Sequence, residues 1–173
     1  MEVVIRKEKE NDYSEVFELV ETAFKFAEHT DHKEQFLVEK LRKSNAFIPA
    51  LSIVAEIDQK IIGYILFTEA KVGGHTLLAL APLAVHPSLH KKGVGSKLVK
   101  YGHEIGKQLG YRGSIVLGDH HYYSRFGYTC SVDYKITPPF EVPVENYMTL
   151  PFEKDSLDGI TGVVEYAPEF FES

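Results

Sequence analysis

The stretch Leu80-Ala81-Pro82-Leu83-Ala84-Val85-His86-Pro87, followed by Ser88 to Lys92 and then Gly93-Val94-Gly95-Ser96, constrains this chain more than any other. An apolar, β-prone run passes through a polar turn into a helix that opens on two glycines. Val94, Leu98, Tyr101, Ile105 and Leu109 follow at spacings of four, three, four and four, which sets one face of a helix against a core. Gly110 is placed to end that helix in the left-handed conformation. Ser114-Ile115-Val116-Leu117 then reads as a short buried strand, so the order strand, helix, strand implies a parallel crossover of right-handed sense. Pro82 lacks the N–H that a ladder needs and should interrupt the first of these strands.

The rest of the chain builds a sheet around that unit. Val3 to Arg6 reads as an opening strand, and Val16, Leu19, Val20, Ala23 and Phe24 mark the buried face of a helix over 13–26. A second helix is expected after Asp31, a good N-cap with Glu34 three residues on, ending near Ser44-Asn45. Leu51 to Ile57, Ile61 to Val72 and Leu77 to Val85 are predicted to form an antiparallel meander, turning at Asp58-Gln59-Lys60 and Gly73-Gly74. Tyr147 to Phe152 and Gly162 to Tyr166 are later strand candidates. No repeat or linker divides the sequence, and 173 residues with 44% hydrophobic content suffice for one core, so a single domain over 1–173 is expected.

Charge and cysteine usage narrow the partners. Nineteen Lys and Arg against twenty-five Asp and Glu give a net charge of −6, which repels a polyanion, so nucleic acid is not expected as a partner. No run approaches the roughly 20 apolar residues of a membrane span, and the start lacks a signal-peptide pattern. A reducing cytoplasm suits the single Cys130, which cannot form an internal disulfide and reads as a packed thiol.

Against this acidic background the turn before the long helix is basic. Lys91 and Lys92 flank its mouth, with Lys97 and Lys100 in the next two turns. The first N–H groups of a helix have no partners within it and its dipole is positive at that end, so the turn can hold an anion with backbone donors. Gly93 and Gly95 remove side chains that would obstruct a phosphate; the alternative is that they only permit a tight turn and that the lysines are solvated.

A second element follows the buried strand: Gly118-Asp119-His120-His121-Tyr122-Tyr123-Ser124-Arg125-Phe126-Gly127-Tyr128. Together the two elements resemble the GCN5-related N-acetyltransferase (GNAT) superfamily. Its first signature is Gln or Arg, two residues, Gly, one residue, then Gly or Ala, after the fourth strand. Its second is a Tyr four residues before a Gly-Phe pair, matched by Tyr123 and Gly127-Tyr128. The Gly-Asp, Tyr-Tyr and Arg-Phe-Gly pieces are similar to the predicted-acetyltransferase branch around YhbS. The resemblance spans nearly the whole chain in element order. It implies an α/β GNAT-type acyl-CoA N-acyltransferase fold, with a mixed, mainly antiparallel sheet flanked by helices.

The resemblance also implies a cosubstrate, acetyl-CoA, and no metal. In that family the fourth strand is bulged and splays from the fifth. Leu83, Ala84 and Val85 would then contact pantetheine, and the backbone over Lys91, Lys92, Gly93, Val94, Gly95 and Ser96 would hold the pyrophosphate. His90 departs from the family's Gln or Arg; it can still donate a hydrogen bond, and a charge that depends on pH predicts weaker cofactor binding at high pH. The implied reaction is direct attack of a neutral amine on the thioester carbonyl, with two proton transfers to arrange. Tyr123 would protonate the leaving sulfur, since a phenol with a reference pKa of about 10 keeps its proton at neutral pH. For the base, Asp119 and His120 are nearest by topology, water chains are an alternative, and Asp119 could equally cap the short helix that follows.

Two further readings remain from the residues. A catalytically silent acyl-CoA-binding sensor would keep the slot without turnover, and a plain interaction domain would require both motifs to be coincidental. The eight histidines do not form a metal-ligand pattern, because His120 and His121 are adjacent and His29 and His32 stand apart from any cysteine set. A small-molecule or peptide amine acceptor is expected to meet the loop between the first two helices and the late strands, where Phe26, Glu28, His29 and Pro138-Pro139-Phe140 are candidates. Members of the superfamily often dimerise, which keeps a homodimer open.

Overall fold

The computed structural model describes residues 2–172. Its order is β1 (Val4–Lys7), α1 (Tyr13–Phe24), α2 (Glu34–Arg42), β2 (Phe47–Ile57), β3 (Lys60–Val72), β4 (His75–Val85), α3 (Val94–Gln108), β5 (Gly113–Leu117) and α4 (His120–Tyr123). Then come the short strands β6 (Thr129–Cys130) and β7 (Ile136–Thr137), followed by β8 (Tyr147–Pro151) and β9 (Gly162–Val163). A seven-stranded sheet runs β1-β2-β3-β4-β5-β8-β6, and β7 pairs with β9 in a separate ribbon. Only β4 and β5 are parallel within the large sheet, as the crossover through α3 requires.

The expected meander of β2, β3 and β4 is present, and Gly110 does close α3 with φ of 88°. Several boundaries differ from the sequence reading, and β2 starts at Phe47, four residues before the expected Leu51. Helix α1 ends at Phe24, two residues early. Asp31 is not the N-cap of α2: its carboxylate accepts the Lys33 N–H at 2.9 Å in a local turn, and Lys33 takes the cap position. The segment expected as a strand over Gly162 to Tyr166 pairs only at β9, with an isolated bridge from Lys71 to Glu165.

Two apolar layers cover the sheet. On one face Val94, Leu98 and Val99 of α3 pack with Ile53, Ile65 and Phe67 of the sheet. On the other, Val16, Leu19 and Val20 of α1 and Val38 and Leu41 of α2 pack on Val54, Tyr64 and Leu66. Alternate residues of β2 and β3 therefore face opposite layers, and both faces are buried, which explains why these strands read as continuous apolar runs.

A buried polar tie fixes α2 to the sheet. Arg42 donates to Glu8 at 2.6 Å, Ser52 donates to Glu8 at 2.7 Å, and the Ser52 and Tyr64 hydroxyls lie 2.7 Å apart. The Arg42 guanidinium also sits 3.9 Å from the ring centroid of Tyr13. Burial raises the Tyr64 phenol far above its ordinary range, so it serves here as a neutral hydrogen-bonding group.

Candidate functional site

The site grows from a fault in β4. Up to Leu80 this strand pairs on both edges: with β3 through Ala79 and Leu80, and with β5 through Leu78, Ala79 and Leu80 opposite Ser114, Ile115 and Val116. Then Ala81 and the cis-linked Pro82 drop out of register, and pairing to β3 resumes at Leu83 opposite Ile65. On the β5 side it does not resume. The one extra residue in β4 also reverses the parity of the strand. Leu78 and Leu80 face the α3 layer, and past the bulge so do Leu83 and Val85, while Ala84 turns to the α1–α2 layer. Leu83 to Val85 therefore keep a backbone edge free of β5, and the space along that edge is the candidate slot.

At the open end of that slot stands the start of α3. A 3-10 turn over Pro87–Leu89 leads through the exposed His90, Lys91 and Lys92 to Gly93, which caps the helix with φ of 84°. No side chain caps this end, and Lys97 bonds back to the Gly93 carbonyl at 3.1 Å, so the N–H groups of Val94 to Ser96 precede the helical ladder. Lys91 also has positive φ, at 63°. A Cβ on Gly93 would meet nothing within 4 Å, so glycine is needed there for its backbone conformation. Gly95 has a different reason: a Cβ there would run into the Tyr122 hydroxyl.

That contact joins the second sequence element to the first. In α4, Tyr122 packs on the start of α3, and Arg125 lies over its ring at 4.5 Å and donates to the Ser96 hydroxyl at 3.4 Å. Burial pushes the Tyr122 phenol above its usual value, against an opposing pull from the Arg125 charge. Tyr123 lies on the α3 side, edge-on to Tyr122 at 5.0 Å and to Tyr128 at 5.8 Å. Burial first, then the nearby Tyr122 and Asp119, push the Tyr123 phenol well above the ordinary tyrosine range. Asp119 caps α4, accepting the His121 N–H at 2.8 Å, and beside it the Nδ1 of His120 is enclosed without a hydrogen-bond partner.

On the opposite side of these strands lies a cavity of about 710 Å³. Its floor is Ala79 to Pro82 with Ile115 and Leu117, so it meets the fault in β4 directly. Its walls are the α1–α2 loop from His29, the start of α2, Phe140 and the C-terminal segment from Tyr166 to Glu172. Of the residues the sequence offered for meeting an acceptor, His29 and Phe140 line this cavity. Phe26, Glu28, Pro138 and Pro139 do not line the cavity, and Phe26 is 87% exposed. Sequence reasoning offered Tyr122, beside Ser124, as a cofactor contact, but missed Glu34, Arg125 and the C-terminal wall. The clustering of Tyr166, Phe170 and Phe171 so near the end of the chain was the one available signal for that wall.

A β4 edge freed of β5, an uncapped helix start beside it and a cavity on the opposite face make up the candidate site of an acyltransferase-like fold. The profile of the Acetyltransferase (GNAT) family matches residues 13–128, and the chain belongs to that family. It is 35% identical over 141 residues to the uncharacterized N-acetyltransferase YjhQ of Escherichia coli K12, covering 79% of this chain and 75% of YjhQ. To the uncharacterized N-acetyltransferase YhbS of the same strain it is 32% identical over 140 residues, covering 79% and 83%. The crystal structure of E. coli YhbS in complex with CoA superposes with a TM-score of 0.89 at 29% identity, over 98% of this chain and 92% of that one. A GNAT family acetyltransferase from Brucella melitensis in complex with acetyl-CoA gives 0.81 at 31% identity, over 98% of both chains.

Proposed function

We propose that this protein transfers an acetyl group from acetyl-CoA to an amine by direct attack, without an acylated enzyme residue. The observation that carries the reading is the end of β4–β5 pairing after Leu80, which frees the edge of Leu83 to Val85 beside the uncapped start of α3. The residues present fit the cosubstrate. Free backbone edges at Leu83 to Val85 can pair with the amides of a pantetheine arm, and the N–H groups over Lys91 to Ser96 can take a pyrophosphate, with Lys91 and Lys92 adding charge. His90 lies at the outer edge of that turn as a further donor. Acetyl-CoA supplies the activated thioester when bound.

The chain's own groups manage the protons. Tyr123 holds its phenolic proton firmly in its buried setting and delivers it to the departing sulfur. The proton lost by the amine leaves toward the end of β5, where Asp119 and His120 stand. Asp119 holds α4 through one carboxylate oxygen, which fixes Tyr123 as well as offering an acceptor. The setting is cytoplasmic, where acetyl-CoA is available.

Calorimetric titration with acetyl-CoA, run beside Tyr123→Phe and Gly95→Trp, tests this. Micromolar binding that survives Tyr123→Phe, with loss of thiol release in that variant, and that disappears in Gly95→Trp is the expected result. Absence of binding by the folded wild-type protein would overturn it.

A further inference from the structure

The cavity behind β4 and β5 is built for a particular kind of acceptor. Its walls are unusually aromatic. Phe140 stacks on Tyr166 with centroids 5.9 Å apart and planes 22° off parallel, Phe170 meets Tyr166 edge-on at 5.2 Å, and Phe36 stands at the start of α2. Two of these rings are left in water: Phe36 is 46% and Phe171 61% exposed. Exposed aromatic rings gathered at the rim of one concave cavity gain free energy when an apolar body covers them. A volume of about 710 Å³ is in the range of small-molecule sites and too confined for a folded partner.

The same cavity contains a carboxylate that lacks a partner. Glu34, in the first turn of α2, accepts the Thr30 hydroxyl on one oxygen, whereas its Oε1 is shut off from solvent and has no hydrogen bond. That oxygen does not face the cavity as it stands; what the cavity offers an ammonium group is the negative charge of a carboxylate in its wall. Asp31, Glu169 and Glu172 add acidic groups around the lining, against Lys33 and Lys40. The balance favours a cation and disfavours an acceptor carrying a carboxylate or phosphate.

We infer that the acceptor is a primary amine on an aromatic ring system, its ammonium recognised by Glu34 and its rings covered by Phe36, Phe140, Phe170 and Phe171. This rests on the acetyl-transfer reading above. The ammonium first gives up one proton to become the neutral amine; its nitrogen then bonds to the acetyl carbon as the carbon–sulfur bond breaks and gives up a second proton while the sulfur takes one, leaving an acetamide, free CoA and one released proton.

Tryptamine and its uncharged counterpart tryptophol make the test, titrated calorimetrically into wild-type protein and Glu34→Gln, with spermidine as an amine that lacks rings. Tryptamine should bind wild type at least about tenfold more tightly than tryptophol, as one charge-assisted hydrogen bond in a sheltered site implies. Glu34→Gln should erase that preference while leaving tryptophol affinity and acetyl-CoA binding within about twofold. Phe171→Ala, at an exposed position, should weaken both indoles alike. With acetyl-CoA, kcat/KM for tryptamine should exceed that for spermidine by at least about tenfold. Equal affinity for tryptamine and tryptophol in wild type, or a preference for spermidine, would overturn the inference. Because the amine titrations need no cosubstrate, a failure of acetyl-CoA binding would count against the transferase reading alone.

Discussion

His103 gives the sharpest quantitative test of how this core is assembled. Its imidazole lies inside the α3 layer at 7% exposure, among Phe67, Tyr128 and Phe152 with ring centroids 5.9, 5.5 and 5.5 Å away. Its Nε2 is 2.8 Å from the Tyr128 hydroxyl, which in turn donates to Ser114 of β5 at 2.8 Å. Burial, and secondarily the Lys107 charge, lower the His103 pKa from 6.5 to about 4. The folded protein therefore keeps the imidazole neutral where the unfolded chain has taken up a proton. Between those two values the unfolded state binds more protons, so stability must fall as the pH falls from about 7 toward 4. Integrating the linkage from pH 7 to pH 5 gives a loss of about 2 kcal/mol from this residue. Urea unfolding of wild type and His103→Gln at both pH values would isolate it. Glutamine can still bond Tyr128 and does not titrate, so wild type should lose about 2 kcal/mol more than the variant over that interval. Equal losses in the two proteins would refute a neutral buried imidazole.

Other consequences can be measured directly. Arg42→Met should cost about 3–5 kcal/mol in urea unfolding, because it strands the Glu8 carboxylate beside Ser52, and Arg42→Met with Glu8→Gln should recover much of that loss. Gly93→Val should lower stability by about 1–2 kcal/mol through its positive φ and weaken acetyl-CoA binding, whereas Gly93→Asn should be tolerated far better in both thermal unfolding and titration. Acetyl-CoA affinity should fall as salt is raised, because Lys91 and Lys92 are exposed; a flat salt dependence would exclude them from the binding.

Much of this fold is local and could be read from the order of residues. The apolar spacing from Val94 to Leu109 reports a helix face, Gly110 marks its end, and a strand on either side requires a parallel crossover. The glycine-bearing turn and the tyrosine before Gly127 supplied the resemblance that set the family. Each of these features depends on neighbours within a few residues, which is the range over which helical period, turn conformation and helix-end charge operate.

Long-range pairing decided the rest. Pro82 announced a break, but only the register of β4 against β3 shows that the break reverses which face Leu83 to Val85 present. Gly95 was legible as a small residue, whereas its partner Tyr122 arrives from a different element. The His103–Tyr128–Ser114 chain joins α3, the segment after α4 and β5, and the acceptor cavity needs the C-terminal aromatics to return against α2. Alternation and periodicity say that a side chain is buried; they do not say against what, because that is fixed by strand order and by where distant segments come back to the sheet.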